Sequence, residues 1–235
     1  MRSSGEDVSV NIGQLAAQIT GLALVFTIVL VLPAGTLAWP AGWTFLALFF
    51  GFVIALSLWL LRNDPALLAE RMSGIGQADQ KAWDKVFLAT AGLAFVAWLA
   101  LMAFDAARFH WSHVSTPIQG LGAVLLLGSF YLFYCTYREN TFLSPGVRVQ
   151  SERAQTVVST GPYQHLRHPM YAAFIVLTIG TPLLLGSVCG LLGTLLLMGL
   201  VARRAVLEEQ VLLKELEMYQ AYMIKVKYRL APYLW

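Results

Sequence analysis

Six apolar stretches constrain the fold of this chain more than any other feature. A helix needs about 20 apolar residues to cross a bilayer, and these stretches approach or exceed that length. They lie at residues 13–33, 41–61, 85–104, 117–137, 169–185 and 187–207. With 58% hydrophobic and 12% charged residues, the chain falls outside the range of ordinary soluble domains. We therefore expect an all-α integral membrane protein with about six transmembrane helices, the last two forming a C-terminal helical hairpin.

The positive charges indicate the orientation of these helices. Lys and Arg are concentrated in residues 62–85, 138–168 and 203–235, whereas the turns at 34–40 and 186–187 contain none. By the positive-inside rule, the basic segments and both termini are predicted to face the cytoplasm. Residues 62–85 are predicted to include a short helix on that surface, and their charges are interpreted as a solvated or interfacial face.

One short stretch concentrates polar chemistry between apolar segments. Residues 161–171 read GPYQHLRHPMY. Pro169 suits the first position of a helix, where its missing backbone donor costs nothing. The first N–H groups of that helix lack partners and lie at the positive end of its dipole, with His165, Arg167 and His168 beside them. The stretch is therefore predicted to bind a small anionic group, such as a carboxylate or a phosphate.

The sixth apolar stretch continues as a strong helix former beyond the membrane boundary. Arg204 and Glu208 are four residues apart and therefore share one face of this helix. An exposed ion pair is one interpretation. The other is that both face a protein cavity, because charges close to a membrane boundary usually do so and have a function.

The chain is predicted to divide near residue 137. Residues 1–137 would form the N-terminal transmembrane helices, with four spans, and residues 138–235 the core that carries two spans and the cytoplasmic site. Within the second part, residues 147–158 alternate enough to suggest a small β-hairpin that delivers residues 161–171 to the membrane surface.

The second part of the chain resembles the isoprenylcysteine carboxyl methyltransferase family, to which integral-membrane phospholipid N-methyltransferases are related. The resemblance is specific over residues 140–235 and follows this order: Gly161-Pro-Tyr163, Arg167-His-Pro169, Tyr171, a helical hairpin, Arg204, Glu208-Glu209, Tyr219-x-x-Tyr222 and Pro232. The chain departs from the family in one place. A glycine commonly found just before the tyrosine pair is missing, and Leu216-Glu-Met218 stands there, which leaves the path of the tail open.

The resemblance implies transfer of a methyl group from S-adenosylmethionine to a lipophilic, isoprenylcysteine-like carboxylate. The cofactor site would be built from the cytoplasmic ends of the last two spans and the tail. Arg204 is expected to place the acceptor carboxylate, with Arg167 as the second choice. The residues expected to bind the cofactor are Tyr163, His165, His168, Pro169, Tyr171, Glu208, Glu209, Tyr219 and Tyr222.

Three other functions fit parts of the sequence. A phospholipid-type amine N-methyltransferase would need Glu208 or His165 to take a proton. A membrane reductase with a similar C-terminal arrangement would bind NADPH instead. A transporter or lipid-binding protein is disfavoured because the middles of the spans lack charged residues. The expected partners are a lipophilic substrate and membrane lipids. No nucleic acid or protein partner is evident, and the spacing of His, Glu and Cys suggests no metal site.

Overall fold

The computed structural model describes residues 10–74 and 80–235, and these residues form eight α-helices without a strand. The helices are α1 (Ile12–Ala34), α2 (Pro40–Asn63), α3 (Pro65–Met72), α4 (Ala82–Ala103), α5 (Thr116–Glu139), α6 (Pro169–Leu185), α7 (Val188–Glu215) and α8 (Tyr219–Lys225). Five of them are long and apolar enough to cross a membrane, α4 being extended to Arg108 by a π-helical turn, and α6 is a shorter apolar helix of 17 residues. The predicted all-α membrane architecture with about six spans is confirmed.

The last two apolar helices form the tight hairpin that the sequence predicted. Gly186 ends α6 in the left-handed conformation, with φ of 83°, and its N–H donates to the carbonyl of Pro182. Ser187 then caps α7 by accepting a hydrogen bond from Gly190 N at 2.8 Å. A glycine that stops one helix and a serine that starts the next leave no room for a longer connection.

Helix α6 lies against α5 at backbone distance. A Cβ atom added to Gly122 would lie 2.3 Å from the backbone nitrogen of Leu184, and one added to Gly180 would lie 2.9 Å from the carbonyl oxygen of Gly122. Small residues at such a crossing allow two helices to approach closely, which favours association inside a membrane. The crossing fixes α6 among the longer helices and so fixes the start of α6, where the polar motif lies.

Aromatic side chains fill the centre of the bundle. Phe49 of α2 stacks on Phe26 of α1 with ring centroids 5.1 Å apart and meets Phe130 of α5 edge-on at 6.2 Å. Phe95 of α4 lies 6.0 Å from Phe174 of α6. These pairs connect five helices through one apolar core.

The two ends of the bundle differ in chemistry. At the end containing the α6–α7 turn, the buried carboxylate of Asp105 accepts hydrogen bonds from Ser112 Oγ, Ser187 Oγ and Cys189 N, which ties the hairpin to the end of α4. The other end carries α8 and residues 226–235, and we call it the tail end. The polar motif of residues 161–171 begins at the tail end.

The prediction of a β-hairpin at residues 147–158 is wrong. This segment has no strand, and a 3₁₀ turn at Ser151–Arg153 followed by Ala154 in the left-handed conformation interrupts it. Side chains hold it instead of a strand ladder: Gln155 Oε1 accepts from Gln150 N at 2.8 Å, and Arg153 donates to Thr141 O at 2.7 Å. The short helix predicted within residues 62–85 is present as α3. The prediction that the N-terminus faces the cytoplasm concerns residues 1–9, which lie outside the described residues.

Candidate active site

The C-terminal tail folds back onto the start of α6. Beyond α8 the chain returns so that Arg167 N donates to Tyr228 O at 2.9 Å and His168 N donates to Arg229 O at 3.0 Å. Within residues 168–172, the N–H groups of Tyr171 and Ala172 donate to His168 O. Because the tail and the first turn use these amides, the start of α6 offers a ligand fewer backbone donors than the sequence suggested.

Glu209 holds this fold-back together. Its side chain is 2% exposed, and its Oε1 lies 2.9 Å from Arg167 Nε and 3.2 Å from His168 Nε2. Its Oε2 accepts from Arg229 Nε at 2.8 Å. One buried carboxylate therefore joins α7, the start of α6 and the tail.

A polar cavity of about 100 Å³ lies beside this anchor at the tail end. Eight of the predicted site residues line it: Tyr163, Arg167, His168, Tyr171, Arg204, Glu208, Tyr219 and Tyr222. Glu209 and Pro169 lie behind this wall, and His165 is exposed and lines neither this cavity nor the apolar cavity described below. His168 and Glu208, 40 residues apart in the sequence, thus face the same cavity.

Two buried donors in this wall lack hydrogen-bond partners among the described residues. The Tyr219 hydroxyl has none, although the residue is 4% exposed. Arg167 is 9% exposed, and its Nε contacts Glu209 at ion-pair distance without hydrogen-bond geometry. Buried polar groups are normally hydrogen-bonded, so two such donors on residues that line one cavity are candidates for contacts with a bound ligand.

The other tyrosines of this wall are fixed by hydrogen bonds. Tyr222 donates to the carbonyl oxygen of Tyr163 at 2.8 Å, and the Tyr163 hydroxyl accepts from Asn140 Nδ2 at 2.9 Å. Burial raises the pKa of Tyr163, Tyr219 and Tyr222 well above the ordinary value for a phenol. All three hydroxyls therefore stay neutral and keep their proton for donation.

Tyr171 stands between the histidine, the glutamate and the arginine of the site. Its hydroxyl donates to Glu208 Oε2, its ring stacks on His168 with centroids 5.3 Å apart, and the guanidinium carbon of Arg204 lies 5.8 Å from its ring centroid. These contacts fix the ring in one orientation, because each acts on a different face or edge of it.

Arg204 is paired with Asp84 of α4 and not with Glu208. Arg204 Nε donates to Asp84 Oδ1 at 3.0 Å, and Nη2 lies 3.4 Å from Oδ2. Asp84 is completely buried, so the interpretation of the charges in residues 62–85 as a solvated face is wrong for this residue. The alternative that Arg204 and Glu208 form an exposed ion pair is also wrong, since each has another partner.

A second, apolar cavity of about 650 Å³ lies among the spans. Leucine and phenylalanine side chains from α1, α2, α4, α5, α6 and α7 form most of its wall. Its volume is in the usual range for a small-molecule site, about 300–1,000 Å³. Met170, Tyr171 and Arg204 line both cavities, so these three side chains form the boundary between a polar and an apolar compartment.

Residues from 142–148 form one wall of the polar cavity. Val147 N donates to Asp84 Oδ2 at 2.8 Å, and Arg148 makes a two-point contact with Glu70 of α3 at 3.2 and 3.0 Å. Sequence reasoning missed Asp84 and Glu70 as parts of the site. Asp84 lies in the first turn of an apolar span, and this position was the available signal. Charges close to a membrane boundary usually face a protein cavity, which holds for Asp84 as it does for Arg204.

The fold and the two adjoining cavities define a multi-pass membrane protein that can bring a polar ligand and a lipophilic ligand to a common boundary. Residues 121–214, from α5 through α7, match the model of the isoprenylcysteine carboxyl methyltransferase (ICMT) family. This match confirms the resemblance found in the motif. A comparison with curated proteins gave no match.

The family assignment gives the class of enzyme and its cofactor. ICMT family members are S-adenosylmethionine-dependent carboxyl methyltransferases that act on isoprenylcysteine substrates, so the predicted enzyme class and cofactor are confirmed. The side chains that line the polar cavity match the chemistry of this cofactor, because they offer cationic and phenolic donors, a carboxylate and aromatic rings to a molecule with a carboxylate, an ammonium and an adenine. The roles of individual residues remain predictions.

Proposed function

We propose that the polar cavity binds S-adenosylmethionine and that the apolar cavity binds the hydrocarbon part of a prenylated cysteine, with methyl transfer at the boundary between them. The observation that carries this proposal is the shared wall of Met170, Tyr171 and Arg204. When bound, S-adenosylmethionine supplies a methyl group on a sulfonium sulfur. An acceptor carboxylate is already ionised near neutral pH and needs no general base.

The cofactor-binding roles follow from the unpaired groups of the polar cavity. The Tyr219 hydroxyl has no hydrogen-bond partner among the described residues, and Arg167 Nε contacts Glu209 without hydrogen-bond geometry, so both side chains are proposed as donors to a carboxylate or to a ring nitrogen. Glu208 Oε2 is engaged by Tyr171, and Oε1 makes no hydrogen bond with a described residue, so Oε1 is the acceptor for an ammonium or a ribose hydroxyl. The rings of Tyr163, Tyr171 and Tyr222 shield these polar contacts from water.

Glu209, His168 and Pro169 are proposed to act on the same ligand less directly. Glu209 fixes Arg167 and His168 by ion-pair contacts at 2.9 and 3.2 Å, and Pro169 starts the helix that carries Met170 and Tyr171. His168 lines the cavity and supports the Tyr171 ring. His165 stays a predicted contact of the cofactor, although its side chain is exposed.

Arg204 is proposed to place the acceptor carboxylate. It is the cationic side chain on the boundary between the cavities, and Nη1 has no hydrogen bond with a described residue. A cation at this position attracts a carboxylate and repels an ammonium. This favours a carboxyl acceptor over the amine acceptor of a phospholipid N-methyltransferase, and the family match favours a methyltransferase over an NADPH-dependent reductase.

The tail end is proposed to face the cytoplasm. Basic residues are concentrated in the segments at this end, including residues 203–235, whereas the α6–α7 turn has none. The cofactor would then enter from the cytosol and the acceptor from the bilayer. Cysteine labelling of an engineered Gln220→Cys variant in sealed vesicles tests this orientation.

The experiment for the proposed function combines turnover with binding. Detergent-solubilised protein is incubated with labelled S-adenosylmethionine and N-acetyl-S-farnesylcysteine, and we expect a base-labile methyl ester. Titration calorimetry with S-adenosylhomocysteine should show binding that is lost in His168→Ala and Glu208→Ala. His113→Ala, an exposed histidine beyond the hairpin end of α4, is the matched control and should bind normally. Absence of both ester and binding in the wild type would refute the proposal.

A further inference from the structure

We infer that Asp84 is a positioning residue that fixes which edge of the Arg204 guanidinium faces the acceptor. This inference rests on the proposed role of Arg204 in placing the acceptor carboxylate. Asp84 lines neither cavity, so it acts through Arg204 and not by touching a ligand.

The hydrogen bonds of Arg204 leave one nitrogen available. A guanidinium has five N–H donors. Nε donates to Asp84 Oδ1 at 3.0 Å, and Nη2 donates to Pro145 O at 2.8 Å while lying 3.4 Å from Asp84 Oδ2. The two hydrogens on Nη1 make no hydrogen bond with a described residue. An acceptor carboxylate can therefore reach Nη1 alone without breaking an existing contact.

Aromatic rings prevent the guanidinium from turning to present another edge. Its central carbon lies 5.5 Å from the ring centroid of Phe87 and 5.8 Å from that of Tyr171. A planar cation in contact with two rings resists rotation out of its plane. The Asp84 carboxylate determines how the guanidinium is rotated within that plane, because it binds the edge formed by Nε and Nη2.

The same carboxylate also holds the wall of the cofactor cavity. Asp84 Oδ2 accepts from Val147 N at 2.8 Å and from Gln80 Nε2 at 2.8 Å, and Arg204 donates to Pro145, two residues before Val147. The segment 145–147 and the guanidinium thus share one buried ion pair. An ordered cofactor wall and a correctly oriented arginine are therefore expected to occur together.

A purely structural role for Asp84 predicts a different outcome, and the chain offers a control for it. Glu70 holds the same wall segment through Arg148 at 3.2 and 3.0 Å but does not contact Arg204. Glu70→Gln should therefore disturb the wall without turning the guanidinium. Asp84→Asn should disturb both, because the amide cannot hold the Nε and Nη2 donors as a carboxylate does.

The test compares a carboxylate with its uncharged counterpart. In full-length protein, kcat/KM is measured for N-acetyl-S-farnesylcysteine, and the primary amide of the same compound is measured as a competitive inhibitor. The ratio of the inhibition constant of the amide to the KM of the acid reports how well the guanidinium selects a carboxylate. Calorimetry with S-adenosylhomocysteine reports the cofactor site separately.

Asp84→Asn should lower kcat/KM at least 20-fold and bring the carboxylate preference close to one, while the dissociation constant for S-adenosylhomocysteine changes no more than it does in Glu70→Gln. Glu70→Gln should keep the carboxylate preference. A wild-type preference in Asp84→Asn, or an equal loss of preference in Glu70→Gln, would overturn the inference. A wild type that forms no methyl ester would instead overturn the proposed function.

If Asp84→Asn does not fold, as judged by gel filtration and loss of S-adenosylhomocysteine binding, Asp84→Glu replaces it. This variant keeps the charge, and its longer side chain shifts the guanidinium relative to the two cavities. We expect it to bind S-adenosylhomocysteine within threefold of the wild type and to lose at least tenfold in kcat/KM. Wild-type kcat/KM in a folded Asp84→Glu protein would contradict the positioning role.

Discussion

Replacing Tyr219 with phenylalanine removes a hydroxyl group that has no hydrogen-bond partner among the described residues. The residue is 4% exposed and lines the polar cavity, and its hydroxyl is buried. Leaving a buried polar group unpaired costs about 1–3 kcal/mol, so Tyr219→Phe should stabilise the ligand-free protein by part of that amount. For a chain of this size, 1 kcal/mol corresponds to a rise in Tm of about 2–4 °C.

The same substitution should weaken cofactor binding. If the Tyr219 hydroxyl donates to the bound molecule, its removal loses one hydrogen bond worth about 0.5–1.5 kcal/mol. That range corresponds to a dissociation constant about 2- to 12-fold higher. The variant would then be more stable without ligand and bind S-adenosylhomocysteine more weakly, a combination that general damage to the fold cannot produce.

Tyr222 provides the matched control on the same helix. Its hydroxyl donates to the carbonyl oxygen of Tyr163 at 2.8 Å, so Tyr222→Phe leaves that acceptor unpaired and should lower Tm. Differential scanning fluorimetry gives Tm with and without ligand, and calorimetry gives the dissociation constants. A lower Tm in ligand-free Tyr219→Phe, or an unchanged dissociation constant, would refute the reasoning.

Two further substitutions test the fold. Met218 has φ of 64° and is 73% exposed. Such a left-handed conformation costs an L-residue about 1–2 kcal/mol. Met218→Gly relieves this cost and should raise Tm by a few degrees, whereas Met218→Ala should not. Gly122→Ala places a Cβ 2.3 Å from Leu184 N and should lower Tm through about 1–3 kcal/mol of overpacking. Gly128→Ala on the same helix meets no atom within 4 Å and serves as its control. Equal Tm values for the two alanine variants would contradict the close crossing of α5 and α6.

The conformation of Met218 explains the one departure from the family pattern. The family commonly has glycine just before the tyrosine pair, and this position requires positive φ, which glycine adopts without strain. The chain keeps the turn with methionine because the side chain points away from the protein and meets no obstacle. The tail, whose path the sequence left open, therefore turns at Met218 with the positive φ that a glycine adopts without strain.

The spans and the hairpin could be predicted because their signals are local. Apolar runs of about 20 residues identify α1, α2, α4, α5 and α7, and Gly186 with Ser187 identifies the turn. The wall segment could not be predicted in the same way. The side chains of Gln150, Arg153 and Gln155 bond the backbone groups Phe142 O, Thr141 O and Gln150 N, and alternation of residue types does not reveal such contacts.

The largest gap between sequence and structure concerns the ion pairs. Arg204 and Asp84 are 120 residues apart, and the partner of a buried charge at that separation depends on how α4 packs against α7. This pair also joins the two predicted parts of the chain, since Asp84 lies within residues 1–137 and Arg204 within residues 138–235. The division of the chain near residue 137 stays a prediction, and the site draws on both sides of it.

Neighbouring glutamates on α7 have separate tasks, and helix geometry explains why. Successive residues of an α-helix point about 100° apart, so the side chains of Glu208 and Glu209 leave α7 in different directions. Glu208 lines the polar cavity, where Tyr171 engages one of its oxygens. Glu209 does not line this cavity and contacts Arg167, His168 and Arg229. Under the proposed function, Glu208 contacts the ligand and Glu209 holds the tail, and two adjacent positions on one helix supply both.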